Sequence, residues 1–143
     1  MNELTKKLLL LEPIILLSNR KKTPTKLTKN SKVYKTIIKA ILDKKGEDVV
    51  SLDLRKIPEA VADFFIVCSA NSSPQCKAIA DNIDDMVFAA CGERPFKQEG
   101  YQSLQWVLVD YVDIVIHIMQ PATRKFYKLE EMWSDGDSTN HEE

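Results

Sequence analysis

Residues 64–92 read FFIVCSANSSPQCKAIADNIDDMVFAACG, and this stretch decides the fold class. Phe64 to Cys68 is apolar without alternation, the pattern of a central strand covered on both faces. Ser73-Pro74 then supplies a capping hydroxyl and a proline suited to a first helical turn. Cys76, Ile79, Ala80, Ile83, Met86, Val87 and Ala90 follow at helical spacing and form one apolar stripe that stops at Gly92. A buried strand running into an amphipathic helix predicts a domain built of layered sheet and helix.

The flanks extend that reading in both directions. Upstream, Tyr34, Ile37, Ile38, Ile41 and Leu42 repeat at helical spacing before Gly46 and predict a helix over about 32–45. Val50, Leu52 and Leu54 alternate with Ser51 and Asp53, which predicts a half-buried strand, and Arg55 to Ala62 with Pro58 reads as a loop. Downstream, short strands are expected at about 95–99, 105–110 and 113–119, the last two facing each other across Asp110-Tyr111-Val112-Asp113 as an antiparallel hairpin. Pro121 opens a final helical stretch that carries Phe126, Tyr127, Leu129, Met132 and Trp133. The order α-β-β-α-β-β-β-α predicts an α+β, or layered α/β, fold with a small mixed sheet of about five strands flanked by helices.

The ends read differently from this body. Residues 1–32 carry 8 basic and 2 acidic side chains, while 33–143 carry 12 and 19, so a nearly neutral chain divides into a part of +6 and a part of −7. Leu4, Leu8, Leu11 and Ile15 share one helical face, with Pro13 as its break, and residues 19–32 have the composition of a solvated linker. The apolar run is too short to span a bilayer and lacks a signal-peptide cleavage site. The expected division is a basic extension at 1–32, one domain at 33–134 and a polar tail at 135–143. The acidic body argues against a grip on a phosphate backbone and for a basic partner surface, the plain alternative being solubility. The extension leaves open an added contact to ribosomal RNA or a membrane surface, and the apolar face leaves open a homodimer.

Candidate chemistry is sparse. The chain of 143 residues has three cysteines without CxxC spacing and two histidines, so neither a disulfide framework nor a zinc knuckle is expected, and a reducing, cytoplasmic setting fits. There is no Walker loop, GxGxxG, HExxH or GxSxG. Cys68 and Cys76 occupy apolar positions and read as packing residues more readily than nucleophiles. His117, between Ile116 and Ile118, reads as a hydrogen-bonded structural histidine, and Asp81, Asp84 and Asp85 as a solvated helix face. No catalytic residue, metal or cofactor is therefore expected. What remains is aromatic and acidic: Trp106 and Tyr111 at the hairpin, Glu99 before Gly100, and Asp110 and Asp113 at the turn. Aromatic side chains anchor interfaces and carboxylates select a basic partner, against the alternative that Trp106 belongs to the core.

Asp63-Phe-Phe-Ile-Val-Cys-Ser69, Ala78-Ile-Ala-Asp81, Glu99-Gly100, Trp106-Val-Leu-Val-Asp110, Asp113-Ile-Val-Ile-His117 and Phe126-Tyr-Lys-Leu-Glu130 with Trp133, in this order, resemble the ribosomal silencing factor family, also called Iojap. The resemblance covers about 35–134. It implies a fold like a reduced nucleotidyltransferase domain without catalytic residues. It also implies a non-enzymatic translational repressor that binds ribosomal protein fourteen of the large subunit and blocks subunit joining when nutrients are scarce. Carried over by position, the family's partner-contacting tryptophan falls on Trp106 and its bulky turn residue on Tyr111, while Glu99, Asp110, Asp113 and His117 match recurring positions. Val112 departs from the glycine common at this turn, and a β-branched residue there predicts a wider turn than a two-residue type I′. The competing class is a nucleotidyltransferase-like enzyme using Asp110, Asp113 and a metal ion, for which the signature motif is not recognisable.

Overall fold

The computed structural model describes residues 31–142; the amphipathic stretch and most of the linker expected over 1–32 lie outside the described residues. Helix α1 spans Lys32–Asp43 and strand β1 Glu47–Asp53. They are followed by β2, Phe64–Ser69, and α2, Ser73–Cys91. Then come β3, Lys97–Glu99, β4, Trp106–Asp110, and β5, Ile114–Met119. Helices α3, Pro121–Tyr127, and α4, Leu129–Met132, precede β6, Asp137–His141.

Six strands form one mixed sheet in the order β3-β4-β5-β2-β1-β6 among the described residues. Its centre is the parallel pair β2 and β5, in register from Phe64↔Ile114 to Ser69↔Met119, and every residue of both strands is buried. The remaining neighbours are antiparallel, including the expected β4–β5 hairpin. Strand periodicity divides the core into two layers. Phe64, Ile66, Cys68, Val107, Val109, Ile114, Ile116 and Ile118 pack under α1 and α2. Phe65, Val67, Leu108, Val115 and Met119 face the other way, toward residues 60–62, Leu129 and the partly buried rings of Trp106, Tyr127 and Trp133. Among the described residues, two long helices thus cover one face, whereas the other carries only the short α3–α4 segment and the loop after β1.

Three expectations are corrected. Residues 135–143 are not all tail: Asp137 to His141 add a sixth strand, paired from Asp53↔Asp137 to Val49↔His141, because β1 would otherwise leave a row of backbone groups unpaired. Ser51, expected on a solvated face, is fully buried under Tyr34, whose hydroxyl donates to Ser51 Oγ at 2.6 Å, and His141 Nε2 lies 2.9 Å from the same oxygen. The single last helix is broken at Lys128, which takes φ +49° between α3 and α4. The long helix is as expected, except that its cap is Ser72, which accepts the Gln75 N–H at 3.2 Å, with Pro74 in the first turn and Gly92 left-handed at φ +71°.

Candidate functional site

Trp106 begins β4 at the thinly covered face. The preceding backbone is bent to deliver it: Gly100 takes φ +90° and a Cβ there would overlap the Trp106 carbonyl oxygen. Leu104, at φ +57°, returns its N–H to the Gly100 carbonyl at 3.0 Å. Gln120 then clamps the loop, donating its side-chain amide to Leu104 O at 3.0 Å and its backbone N–H to Gln105 O at 2.9 Å.

From this point a row of rings runs from core to surface. Phe65 meets Trp133 edge-on at 5.7 Å and His117 at 4.9 Å between centroids. His117 lies 5.9 Å from Trp106, whose indole N–H donates to His117 Nδ1 at 3.1 Å. Trp106 packs on Tyr127 at 4.9 Å and Tyr127 on Phe126 at 4.9 Å, with Phe126 half exposed. Beside the row, Arg124 donates to Glu130 at 2.7 Å and to Ser69 Oγ at 2.9 Å, which ties α3 to the end of β2. Glu99 opposes Leu108 and so shares the Trp106 face; it pairs with Lys97 at 2.7 Å. Phe126, Tyr127 and Gly100 join this site without any sequence pattern that marks them as contact residues; in the sequence they stand out only within the Phe126–Glu130 and Glu99-Gly100 segments that carry the family resemblance.

The six expected contact residues do not form one patch. Tyr111 follows the far end of β4, roughly 17 Å along the strand by the standard rise. It packs against the core layer under α1 and α2, the opposite side from Trp106. Burial, with Asp84 and Glu93 nearby, pushes its phenol up. Asp110 and His117, expected among the contacts, have no exposed surface. Asp110 instead accepts the Val112 N–H at 2.7 Å, and burial pushes the His117 imidazole down to about 3. Asp113 sits at the turn, its carbonyl accepting the N–H groups of Asp63 at 2.9 Å and Phe64 at 3.1 Å.

The turn itself is tighter than expected. The Asp113 N–H reaches the Tyr111 carbonyl at 2.9 Å across Val112 at φ +75°, a γ-turn, while the Tyr111 N–H bonds Ile114 O at 2.8 Å. Asp110 and Asp113 therefore serve backbone groups on either side of this turn. No group of three or more metal-ligating side chains occurs among the described residues. Burial pushes the Cys68 thiol up to about 12 and raises that of Cys76, which keeps both protonated and poorly nucleophilic. No described helix is long and apolar enough to cross a membrane.

Comparison with known proteins agrees with this architecture. The ribosomal silencing factor RsfS of Bacillus subtilis is 39% identical over 103 residues, 72% of this chain and 86% of that one. A mouse protein named mitochondrial assembly of ribosomal large subunit protein 1 is 34% identical over 74 residues, half of this chain and 32% of its own. A crystal structure of a Chromobacterium violaceum protein superposes with a TM-score of 0.67 at 35% identity, covering 71% of this chain and 83% of that one. The model of the family described as ribosomal silencing factor during starvation matches residues 27–143, and the chain belongs to that family.

Proposed function

We propose that this protein silences translation by binding ribosomal protein fourteen on the large subunit and occupying the space the small subunit needs, with no bond made or broken. The observation that carries the reading is the aromatic row at Trp106, in a chain of this family, on the sheet face that, among the described residues, only short segments cover. Trp106, Tyr127 and Phe126 supply a rigid apolar contact of the kind that dominates interface energies. Glu99 lies on the same face, whereas Tyr111, packed on the opposite core layer, and Asp113 beside it lie outside this contact. The −7 carried by residues 33–143 steers the body toward a basic protein, as large-subunit proteins are when they neutralise RNA. The protein acts in the cytoplasm, without a cofactor, and reduces translation when nutrients are limiting.

The test is sedimentation of the wild type and Trp106→Ala with isolated large subunits, followed by addition of small subunits. Wild-type comigration that suppresses the joined-ribosome peak, lost in the variant, is the expected outcome. A wild type that stays at the top of the gradient at low salt overturns the reading.

A further inference from the structure

Trp106 does not present its indole N–H to a partner, because an internal group has already taken it. The acceptor is His117 Nδ1 at 3.1 Å, one strand away on β5 and directly opposite Leu108 rather than Trp106, so the ring reaches diagonally under the indole. An indole N–H is only a donor, so this nitrogen must be unprotonated, and in the neutral ring the proton sits on Nε2. That second nitrogen is fully buried and has no hydrogen-bond partner among the described residues. The Phe65 ring at 4.9 Å closes the far side. A histidine placed here for packing alone would be inferior to leucine or phenylalanine, since it buries an unpaired polar atom. Among the described residues, the one interaction that its polarity serves is the bond to Trp106.

We infer that His117 is a positioning residue for the partner site: it sequesters the Trp106 indole N–H, fixes the ring against Tyr127, and leaves only apolar and π surface for the partner to touch. This rests on the reading of Trp106 as the ribosome-binding anchor. It also specifies the chemistry on the other side. A partner group seated on Trp106 is an aliphatic side chain or a cation lying over the ring, and not a hydrogen-bond acceptor aimed at the indole edge. Burial, which keeps the imidazole neutral throughout the physiological range, makes the arrangement permanent rather than pH-gated.

The experiment is a cycle of full-length variants: His117→Leu, which removes the acceptor; His117→Asn, whose side-chain oxygen can stand near the place of Nδ1; Trp106→Phe, which keeps a ring without an N–H; and Trp106→Phe combined with His117→Leu. Binding to isolated large subunits is measured alongside the Trp106 indole N–H resonance and its exchange with solvent. In the wild type the indole proton is protected from exchange. His117→Leu is expected to abolish that protection and weaken binding by about tenfold, the order of one lost hydrogen bond, with both recovered in His117→Asn. In the Trp106→Phe background, His117→Leu is expected to change affinity less than twofold, because the groups act as a unit. An equal loss in both backgrounds means that His117 acts independently of the indole and overturns the proposal, as does an unprotected indole proton in the wild type. If the wild type fails to bind large subunits while its indole proton is protected, the ribosomal reading falls and takes the partner role of His117 with it. The internal hydrogen bond then stands as a structural feature alone.

Discussion

Val112 occupies a conformation that its branched side chain resists, at φ +75° in the middle of the β4–β5 turn. Valine disfavours positive φ, yet the turn does not widen to avoid it. Neighbouring bonds impose the strained conformation: Asp110 holds the Val112 N–H, and the Asp113 carbonyl is fixed by the N–H groups of Asp63 and Phe64 at the start of β2. Val112→Gly should release this strain and stabilise the protein by about 1 kcal/mol, read as a higher urea midpoint with an unchanged slope. Gly100 has the opposite sensitivity, for Gly100→Ala adds both positive-φ strain and an overlap with the Trp106 carbonyl. A loss of roughly 2 kcal/mol or more is expected, with altered Trp106 fluorescence. For Trp106 itself, Ala substitution should cost on the order of 2 kcal/mol or more of binding while circular dichroism stays native. An unfolded variant would assign the ring to the core. Trp106 could be nominated as the anchor from residue type and family position alone. Its hydrogen bond to His117 could not be read that way, since that depends on a cross-strand diagonal that one-dimensional spacing does not reveal.

At the scale of elements, what could be read was what had a period. The apolar run of β2 and the stripe of α2 each carry a repeat set by core contact, and both elements formed within a residue or two of expectation. Strand β6 has no such repeat. Asp137-Ser-Thr-Asn-His141 is polar throughout and becomes a strand because β1 offers it an open edge, with His141 set against Ser51 and Tyr34. The break at Lys128 is equally invisible, because lysine has no intrinsic preference for the left-handed region and packing decides it. Deleting residues 137–143 should therefore destabilise the domain by roughly 2 kcal/mol or more, since the buried Ser51 loses its half-buried partner His141 and β1 becomes an edge. Urea unfolding checks the first effect and size-exclusion chromatography the second, where a shift toward larger species is expected. Position along β4 separates the expected contact residues at this scale too: a five-residue strand places Trp106 and Tyr111 apart both along its length and across the sheet, although they are close in sequence.

For the molecule as a whole, one buried imidazole ties stability to pH. His117 takes up a proton near its ordinary 6.5 in the unfolded chain but only near about 3 in the folded one. Below 6.5 the unfolded state binds more protons, so stability declines as pH falls from about 6.5 toward about 3 and is unaffected by this group above that window. Urea midpoints should drop between about pH 7 and pH 4.5, and His117→Asn should flatten part of that slope; equal slopes would show that other groups govern it.

The parallel pairing of β2 with β5 has a further consequence during synthesis. Phe64 to Ser69 cannot find its neighbour until Ile114 to Met119 has been made, and no local hairpin can substitute for it. At about 5–20 residues per second, this strand, wholly buried in the finished fold, waits roughly 2.5–10 seconds with one side unsatisfied. During that interval the newborn chain is adhesive, and it is still tethered to a ribosome. Its yield in the cell should therefore depend on what shields that strand at the tunnel mouth as much as on the stability it later attains.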